Sequence, residues 1–347
     1  MIDGLTDNRF SRLSKLGSRL SKGLALVRFR PTVKLAQGPA IAAGLRVMNR
    51  VAINHFKTVA LPFAIGCLCA LLGFKVAGPV GLAVGGGLYI LLAWTTLTQA
   101  DRMILRIHGA RLISERDAPG LYGMVRELAR RADLPTPKIY LIPEAAPNIF
   151  TTGRRPHQGA IALTRGLLDI LSGEELAAVI AHEISHLRCG DTLPLTIVAA
   201  VAALMISASN FLSCSNLLRT NEPNRIKNEG VASDTFFWIL IAPITAALIR
   251  LTAYASREAE ADESSVHLIG EAGPLCRALR KIQDSGSRTE LASASPATAH
   301  LFISSPLTSA GLMGMFQTHP PLDQRIEKLG DVEPSPNNSM LRSVSGT

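Results

Sequence analysis

Two histidines stand four residues apart around a glutamate, in the run His182-Glu183-Ile184-Ser185-His186. In a helix, residues four apart lie on one face, so both imidazoles can reach one Zn²⁺ ion at about 2.0–2.1 Å. Glu183 is turned about 100° from His182, so its carboxylate can stand beside the metal and take a proton from a water molecule there. The spacing therefore predicts metal-assisted hydrolysis, although two surface histidines on an ordinary amphipathic helix would show the same pattern.

An acidic cluster later in the chain can complete such a site. It runs Ser256-Arg257-Glu258-Ala259-Glu260-Ala261-Asp262. A catalytic zinc ion takes three protein ligands and keeps one position open. Glu258 and Asp262 are four apart and share a helix face, whereas Glu260 lies on another face. We expect Glu258 to be the third ligand and Asp262 to orient a histidine or to pair with a base.

The histidine pair lies in a segment with clear helix boundaries. Ser172 is followed three residues later by Glu175, which is a capping-box pattern, and Gly190 is a typical helix stop. The sequence predicts a helix from Gly173 to Arg188. A second amphipathic helix is predicted over Ala118–Ala132.

Short strands are predicted near these helices, which makes the polar part of the chain α+β. The predicted strands are Lys138–Ile142, Ile149–Thr152 and Gly159–Leu163.

The composition indicates an integral membrane protein. Of the 347 residues, 47% are apolar and only 18% are charged, against about 25% charged in soluble domains. Four apolar stretches stand out: Thr58–Phe74, Val76–Leu97, Leu193–Leu212 and Thr235–Ile249. A bilayer core needs about 20 apolar residues, so the second and third stretches are the clearest spans and the other two are short.

The positive charge is concentrated at the start of the chain. Residues 1–57 carry eleven Lys and Arg but only Asp3 and Asp7 as acids, which accounts for the net charge of +9. We expect this arm to be a cytoplasmic flank that contacts anionic lipid. Nucleic-acid binding is not expected, because no recognised fold or aromatic platform accompanies the charge. The five scattered cysteines imply no disulfide framework.

These features predict two transmembrane hairpins, with Gln99–Asp191 and the part from Ser256 onward on the cytoplasmic side of the inner membrane and the loop Arg219–Asp234 outside. The predicted divisions are a basic arm (1–57), a first hairpin (58–98), a first part of the catalytic domain (99–191), a second hairpin (192–255), a second part of that domain (256–330) and a disordered tail (331–347). Both candidate ligand clusters then lie on the same side of the membrane.

Several sequence blocks, in this order, closely resemble the HtpX family of membrane zinc proteases, which are relatives of the CAAX prenyl proteases. The resemblance extends from the first hairpin to about Gly330. The blocks are Asn148-Ile149-Phe150-Thr151-Thr152-Gly153, Ala181-His182-Glu183-Ile184-Ser185-His186, Gly190-Asp191, Ser256-Arg257-Glu258 with Ala261-Asp262, and Thr318-His319-Pro320-Pro321-Leu322-Asp323-Gln324-Arg325-Ile326.

The resemblance implies a mainly helical membrane protein with a gluzincin-like protease domain and one Zn²⁺ per chain. It implies that His182, His186 and Glu258 bind the metal and that Glu183 is the general base. His319 is expected to stabilise the tetrahedral oxyanion. Three further residues are expected to orient the metal-binding side chains without touching the metal: Asp191, Asp262 and Arg325. Arg325 is expected to pair with Asp262.

The resemblance also implies a substrate-binding edge strand at Asn148, Ile149, Phe150 and Thr151, to which an extended peptide would add as a further strand. The alternative is an ordinary strand and turn. This chain departs from the family pattern here, because Ile149 and Thr151 replace residues that are usually small.

The leading functional hypothesis is an endopeptidase that cuts damaged or misassembled membrane proteins on the cytoplasmic side, with unfolded and membrane proteins as its partners. The metal-assisted cleavage follows from the candidate site, whereas the quality-control role is implied only by the resemblance. Two alternatives are an inactive membrane scaffold and a peptidase that trims prenylated proteins. The intact Glu183 argues against a scaffold, which needs no general base.

Overall fold

The protein is described by a computed structural model that covers residues 98–203, 255–286, 291–307 and 319–330, with parts of 67–94 and residue 246. The basic arm, the tail and most of the predicted spans lie outside the described residues, so the predicted division of the chain stays a prediction. Among the helices within the described residues, none combines the length and the apolar character that a membrane crossing requires.

The described part of the chain is mainly helical and carries a small β-sheet, as the sequence predicted. The sheet is mixed and has four strands, whereas the sequence predicted three. The strands are β1 (Arg111–Leu112), β2 (Lys138–Ile142), β3 (Ile149–Thr152) and β4 (Ala160–Thr164). Their order across the sheet is β1-β2-β4-β3, with β2 and β4 parallel and the two outer pairs antiparallel. The predictions for β2 and β3 are confirmed, and the strand predicted at Gly159–Leu163 begins one residue later.

The helices that surround the sheet come from both polar segments. They are α1 (Pro119–Arg131), α2 (Arg165–Ile170), α3 (Gly173–Cys189), α4 (Ala255–Ile269), α5 (Gly273–Gly286) and α6 (Leu322–Gly330). Residues 98–107 and 192–203 are also helical. The predicted helices over Ala118–Ala132 and Gly173–Arg188 are confirmed within one residue at each end.

Helix α3 begins and ends as its sequence indicates. The Ser172 side chain accepts from the Glu175 amide, and the Glu175 carboxylate accepts from the Ser172 amide, which together form a capping box. Lys281 of α5 donates to the same carboxylate at 2.7 Å. At the other end, Gly190 adopts a left-handed conformation with φ 68°, which glycine adopts without a Cβ clash. These contacts set the boundaries of the helix that carries both histidines.

The sheet separates two apolar cores, because successive side chains of a strand point to opposite faces. On one face, Ile149 of β3 and Ile161 of β4 pack into a core that includes residues of α1, α3 and α5. On the other face, Phe150 and Ala162 pack against Ile104 and residues of the segments 195–199 and 301–302. The first face therefore presents alternate residues of β3 to helix α3.

Candidate metal centre

Helix α3 places both histidines of the predicted motif in one buried pocket. His182 and His186 are 0% and 8% exposed, and their Nε2 atoms lie 3.3 Å apart. The two rings meet edge to face, with centroids 4.9 Å apart. The alternative interpretation, in which the two histidines lie on the surface of an ordinary amphipathic helix, is therefore wrong.

Helix α4, which comes from a later part of the chain, brings Glu258 next to these two histidines. Its carboxylate oxygens lie 3.5 Å from His182 Nε2 and 3.6 Å from His186 Nε2. Three donor atoms that each lie 2.0–2.1 Å from one tetrahedral centre are roughly 3.3–3.4 Å apart. These three residues form a group that can hold a metal ion. Glu258 Oε2 is also buried without a hydrogen-bond partner, as expected of an atom that serves as a metal ligand.

A carboxylate stands behind each histidine. Asp262 Oδ1 lies 2.9 Å from Nδ1 of His182, and Asp191 Oδ2 lies 3.3 Å from Nδ1 of His186. A carboxylate at this nitrogen favours the tautomer that leaves Nε2 free to bind a metal. The structure therefore places Asp191 and Asp262 where the resemblance expected them.

The charges around the site lower the pKa of two carboxyl groups, those of Glu258 and Asp262. Burial acts to raise the pKa of Glu258, but His319, His182 and His186 outweigh it and hold that pKa well below its usual value. Burial likewise opposes the ionisation of Asp262, but Arg325 and His182 lower its pKa. Burial acts to lower the pKa of His182, but Asp262 and Glu258 raise it to about 9. The pocket thus has two ionised carboxylates ready to offset a cation.

Arg325 of α6 ties three parts of the chain together behind the metal pocket. It donates to both oxygens of Asp262 at 2.9 and 2.7 Å, and its Nη1 donates to the Ile303 carbonyl at 3.1 Å. Its Nη1 also lies 3.4 Å from Glu258 Oε2. Burial acts to lower the pKa of Arg325, but the nearby carboxylates raise it, so the side chain stays charged. The predicted pairing with Asp262 is confirmed.

Two serine hydroxyls hold α3 and α4 against each other. Ser265 of α4 donates to the Ala178 carbonyl of α3 at 2.7 Å. Ser185 of α3 donates to the His182 carbonyl at 2.6 Å and lies 3.4 Å from the Ala261 carbonyl of α4. Both serines are buried, so their short side chains let the helices approach closely. This contact sets the distance between the histidine pair and Glu258.

Glu183 lies beside the ligand cluster and is held by the sheet. It is 2% exposed, and its Oε2 accepts a hydrogen bond from the Thr151 hydroxyl of β3 at 2.6 Å. No described contact places Glu183 among the three ligands, which fits a carboxylate that acts on a water molecule rather than on the metal.

The outer edge of β3 pairs with a segment of the same chain. The Ile303 amide donates to the Ile149 carbonyl at 3.0 Å, and Phe150 forms an isolated antiparallel bridge with Phe302. The side chain of Asn148 donates to the Ser304 carbonyl at 2.8 Å. The four predicted substrate-binding residues, 148–151, are all buried.

Residues 302–304 thus occupy the outer edge of β3 from Asn148 to Phe150, where strand addition by a substrate was expected. A substrate strand at that position would have to displace these residues or lie beside them.

His319 lies against the third ligand. Its Nδ1 is 3.4 Å from Glu258 Oε2, and its Nε2 is 3.1 Å from the His300 carbonyl. The ring therefore borders the metal pocket, and its role in stabilising an oxyanion stays a prediction.

Contacts that were not expected from the sequence come from Arg257, from His300 and from the segment 302–304 described above. Arg257 Nε lies 3.3 Å from Asp191 Oδ2, so the residue before the third ligand supports the carboxylate behind His186. His300 supplies the carbonyl that His319 contacts. Its own ring is fully buried, which lowers its pKa to about 3. Arg257 belongs to a motif block and could have been suspected, whereas no sequence signal marks His300 or the segment 302–304.

Comparison with known proteins agrees with this geometry. The model of peptidase family M48 matches residues 115–333. The chain belongs to peptidase family M48. The predicted enzyme class, a zinc metallopeptidase, is thereby confirmed, since the M48 match covers the His182, His186 and Glu258 cluster.

Within M48, the chain is similar to proteins named protease HtpX homologue. The one from Syntrophobacter fumaroxidans is 35% identical over 277 residues, which cover 80% of this chain and 98% of the relative. The one from Pyrococcus furiosus is 36% identical, covering 78% and 92%. The one from Burkholderia cenocepacia is 38% identical, covering 80% and 96%. The chain is therefore an HtpX homologue, as the resemblance indicated.

A solved structure is also similar to this M48 member. The crystal structure of S. mikatae Ste24p matches 81% of this chain and 67% of that chain, with 19% identity and a TM-score of 0.44.

Proposed function

We propose that this chain is a membrane-embedded endopeptidase with one Zn²⁺ per chain, held by His182, His186 and Glu258. The observation that carries the proposal is the spacing of the three donor atoms, 3.3–3.6 Å, with Glu183 beside them. Two neutral imidazoles and one carboxylate match a zinc site that keeps an open position for water or substrate. When bound, the metal acidifies water and polarises the peptide carbonyl.

The remaining chemistry belongs to the side chains around the site. Glu183 takes a proton from the attacking water and returns it to the nitrogen of the leaving amine, so that one carboxylate acts first as base and then as acid. His319 donates toward the oxygen of the peptide carbonyl as negative charge develops there. Asp262 and Asp191 hold the imidazoles in orientation while the charge at the site changes.

We further propose that the substrates are damaged or misfolded membrane proteins that are cut on the cytoplasmic side of the inner membrane. Large apolar side chains support a membrane setting: Val80, Ile90 and Trp94 are 69%, 68% and 67% exposed in the described parts of 67–94. Exposed apolar surface on this scale is typical of a membrane or protein contact. The basic arm supports the proposed orientation and contact with anionic lipid.

The test is cleavage of casein, an unfolded protein, by detergent-purified and zinc-loaded enzyme beside Glu183→Gln. We expect the wild type to cut, and the variant to keep stoichiometric zinc while losing at least about 100-fold in rate, because the base contributes about 10²–10⁴-fold. Zinc should be lost on Glu258→Ala but kept on Glu260→Ala. Cleavage that persists in Glu183→Gln would refute the proposed role of the base, and zinc-loaded wild type that cannot cut would refute the endopeptidase.

A further inference from the structure

The general base proposed above is in contact with a strand of the sheet. Alternate residues of β3 point to the face that α3 covers, so Thr151 lies on the same side as Ile149, while Phe150 lies on the other. The Thr151 hydroxyl donates to Glu183 Oε2 at 2.6 Å. Thr151 and Glu183 are 4% and 2% exposed, so this is a buried hydrogen bond to a carboxylate.

Such a bond constrains the base in a particular way. A hydroxyl has one hydrogen to donate, and hydrogen bonds to ionised acceptors are roughly twice as strong as neutral ones. When Oε2 accepts the Thr151 hydroxyl, the carboxylate cannot rotate freely, and Oε1, which this bond leaves unoccupied, is the oxygen more available to a proton. The contact therefore distinguishes between the two oxygens of Glu183.

The strand that carries Thr151 is held on both sides. Thr151 pairs with Ile161 of β4 on one edge, and the Ile303 amide donates to the Ile149 carbonyl on the other. The β-branched side chain of threonine also has few rotamers, which limits movement of the hydroxyl. The hydroxyl is thus pre-positioned, which is the condition under which a supporting group can orient a catalytic one.

We propose that Thr151 is a positioning residue for the general base, holding the Glu183 carboxylate in the rotamer that receives the proton from water. This inference rests on the proposed role of Glu183 as base. In addition to its predicted role in substrate binding, strand β3 then orients the Glu183 carboxylate, from the side opposite helix α3.

The test compares Thr151→Val, which keeps the shape but removes the hydroxyl, with Thr151→Ser, which keeps the hydroxyl. We expect Val to lower kcat for casein cleavage about tenfold with KM changed less than about twofold, because positioning acts in the chemical step. Ser should retain kcat within about threefold, and both variants should bind stoichiometric zinc.

The matched control is Thr196→Val, which removes another buried threonine hydroxyl, one that contacts Thr152 at 2.9 Å and not Glu183. It should lower the melting temperature but leave kcat unchanged. If Thr151→Val has the kcat of the wild type, the positioning role is refuted. If Thr151→Val cuts faster than the wild type, the hydroxyl restrains the base instead, and the proposal is equally refuted.

A second measurement does not depend on activity. In metal-free protein, the melting temperatures of wild type, Thr151→Val, Glu183→Ala and the double variant form a double-mutant cycle, in which Glu183→Ala leaves no acceptor for the hydroxyl. A direct hydrogen bond predicts that the two shifts are not additive, whereas additive shifts would refute the contact.

The two proposals also fail differently. An inactive Glu183→Gln beside a fully active Thr151→Val would overturn only the role of Thr151. A fully active Glu183→Gln would overturn the base itself, and the positioning role with it.

Discussion

Each histidine of the metal centre has a carboxylate near both of its ring nitrogens. His182 and His186 turn Nε2 toward Glu258, while Asp262 and Asp191 stand behind their Nδ1 atoms. The carboxylates hold the orientation of the rings before any metal arrives, which lowers the cost of ordering the site. The affinity for zinc should therefore depend on residues that never touch the ion.

Asp262→Asn is expected to weaken zinc binding by about 10–100-fold, because an amide holds the His182 tautomer less firmly than a carboxylate does. The same change removes the ionised group that Arg325 contacts most closely, so the melting temperature of the metal-free protein should also fall. Zinc affinity is measured by competition with a chromophoric chelator.

The matched control is Glu263→Gln, which removes a carboxylate one position along the same helix. Glu263 is 53% exposed on its side chain and faces His267 at the surface. It should bind zinc as the wild type does. A zinc affinity of Asp262→Asn within twofold of the wild type would show that Asp262 does not orient the ligand.

His108 gives the stability of the fold a pH dependence. Its ring is 2% exposed, lies between the hydroxyls of Ser293 and Thr298, and contacts Phe302 edge to face. Burial lowers its pKa from 6.5 to about 4, although Glu144 acts to raise it. The unfolded chain therefore binds a proton at a higher pH than the folded chain does.

Because the unfolded chain has the higher pKa at this residue, the stability of the fold decreases as the pH falls. The contribution of neutral His108 to stability is fully present above pH 6.5 and is lost as the pH falls toward 4, by about 1.4 kcal/mol per pH unit. In His108→Gln, the melting temperature should be lower at pH 7.5 but should fall less between pH 7 and pH 5. His157→Gln, at an exposed position, should keep the full decrease. An unchanged decrease in His108→Gln would contradict this assignment.

Strand β3 is the last of the four strands in the sheet, but over part of its length it has a neighbouring segment on both edges. The segment 302–304 continues the sheet beyond it through Ile303, and Phe302 and Ile303 are fully buried. Asn148 fastens the end of this segment by its amide, which donates to the Ser304 carbonyl. The position of β3 relative to the metal therefore depends on a segment more than 150 residues further along the chain.

Asn148→Ala should release the segment from the edge of β3. The loss of a buried side-chain hydrogen bond is expected to lower the free energy of unfolding by about 1–3 kcal/mol. Hydrogen exchange of the Ile303 amide, which donates to the Ile149 carbonyl, should become faster. Exchange is followed by mass spectrometry of peptides that cover 299–307.

Ser304→Ala is the control for this change, because Asn148 contacts the backbone of Ser304 and not its hydroxyl. It should leave exchange and stability unchanged. If exchange in 299–307 is the same in Asn148→Ala as in the wild type, the segment is held by its apolar packing and not by Asn148.

The distribution of charge along the whole chain supports the orientation proposed for it in a membrane. Eleven basic residues precede the first apolar stretch, and the polar loop between the third and fourth stretches balances its charges. A reporter fused at Asn224 is expected to appear outside the cytoplasm, because one predicted span lies between that loop and each of the two ligand clusters. A fusion at Gly330 should report from the cytoplasm, and a cytoplasmic signal at Asn224 would contradict the proposed topology.

The local features of this protein could be predicted from its sequence, because they depend on neighbours in the chain. The capping box at Ser172 and the stop at Gly190 bounded the ligand helix within one residue. The spacing of His182 and His186 indicated a shared face, and the four-residue offset between Glu258 and Asp262 indicated that these two acids share a face on which Glu260 does not lie. The family resemblance then supplied the roles of residues that spacing alone could not assign.

The contacts between segments were decided only by the tertiary structure. Alternation along β3 gives Thr151 a face, but only packing against α3 puts Glu183 opposite its hydroxyl. The segment 302–304 has no periodic pattern, and its pairing with β3 depends on how Arg325 and the two cores place it. The sequence by itself determined which residues could hold the metal. Only the fold decided what holds those residues in place, because such contacts join side chains that are far apart in the chain and carry no local signal of their partners.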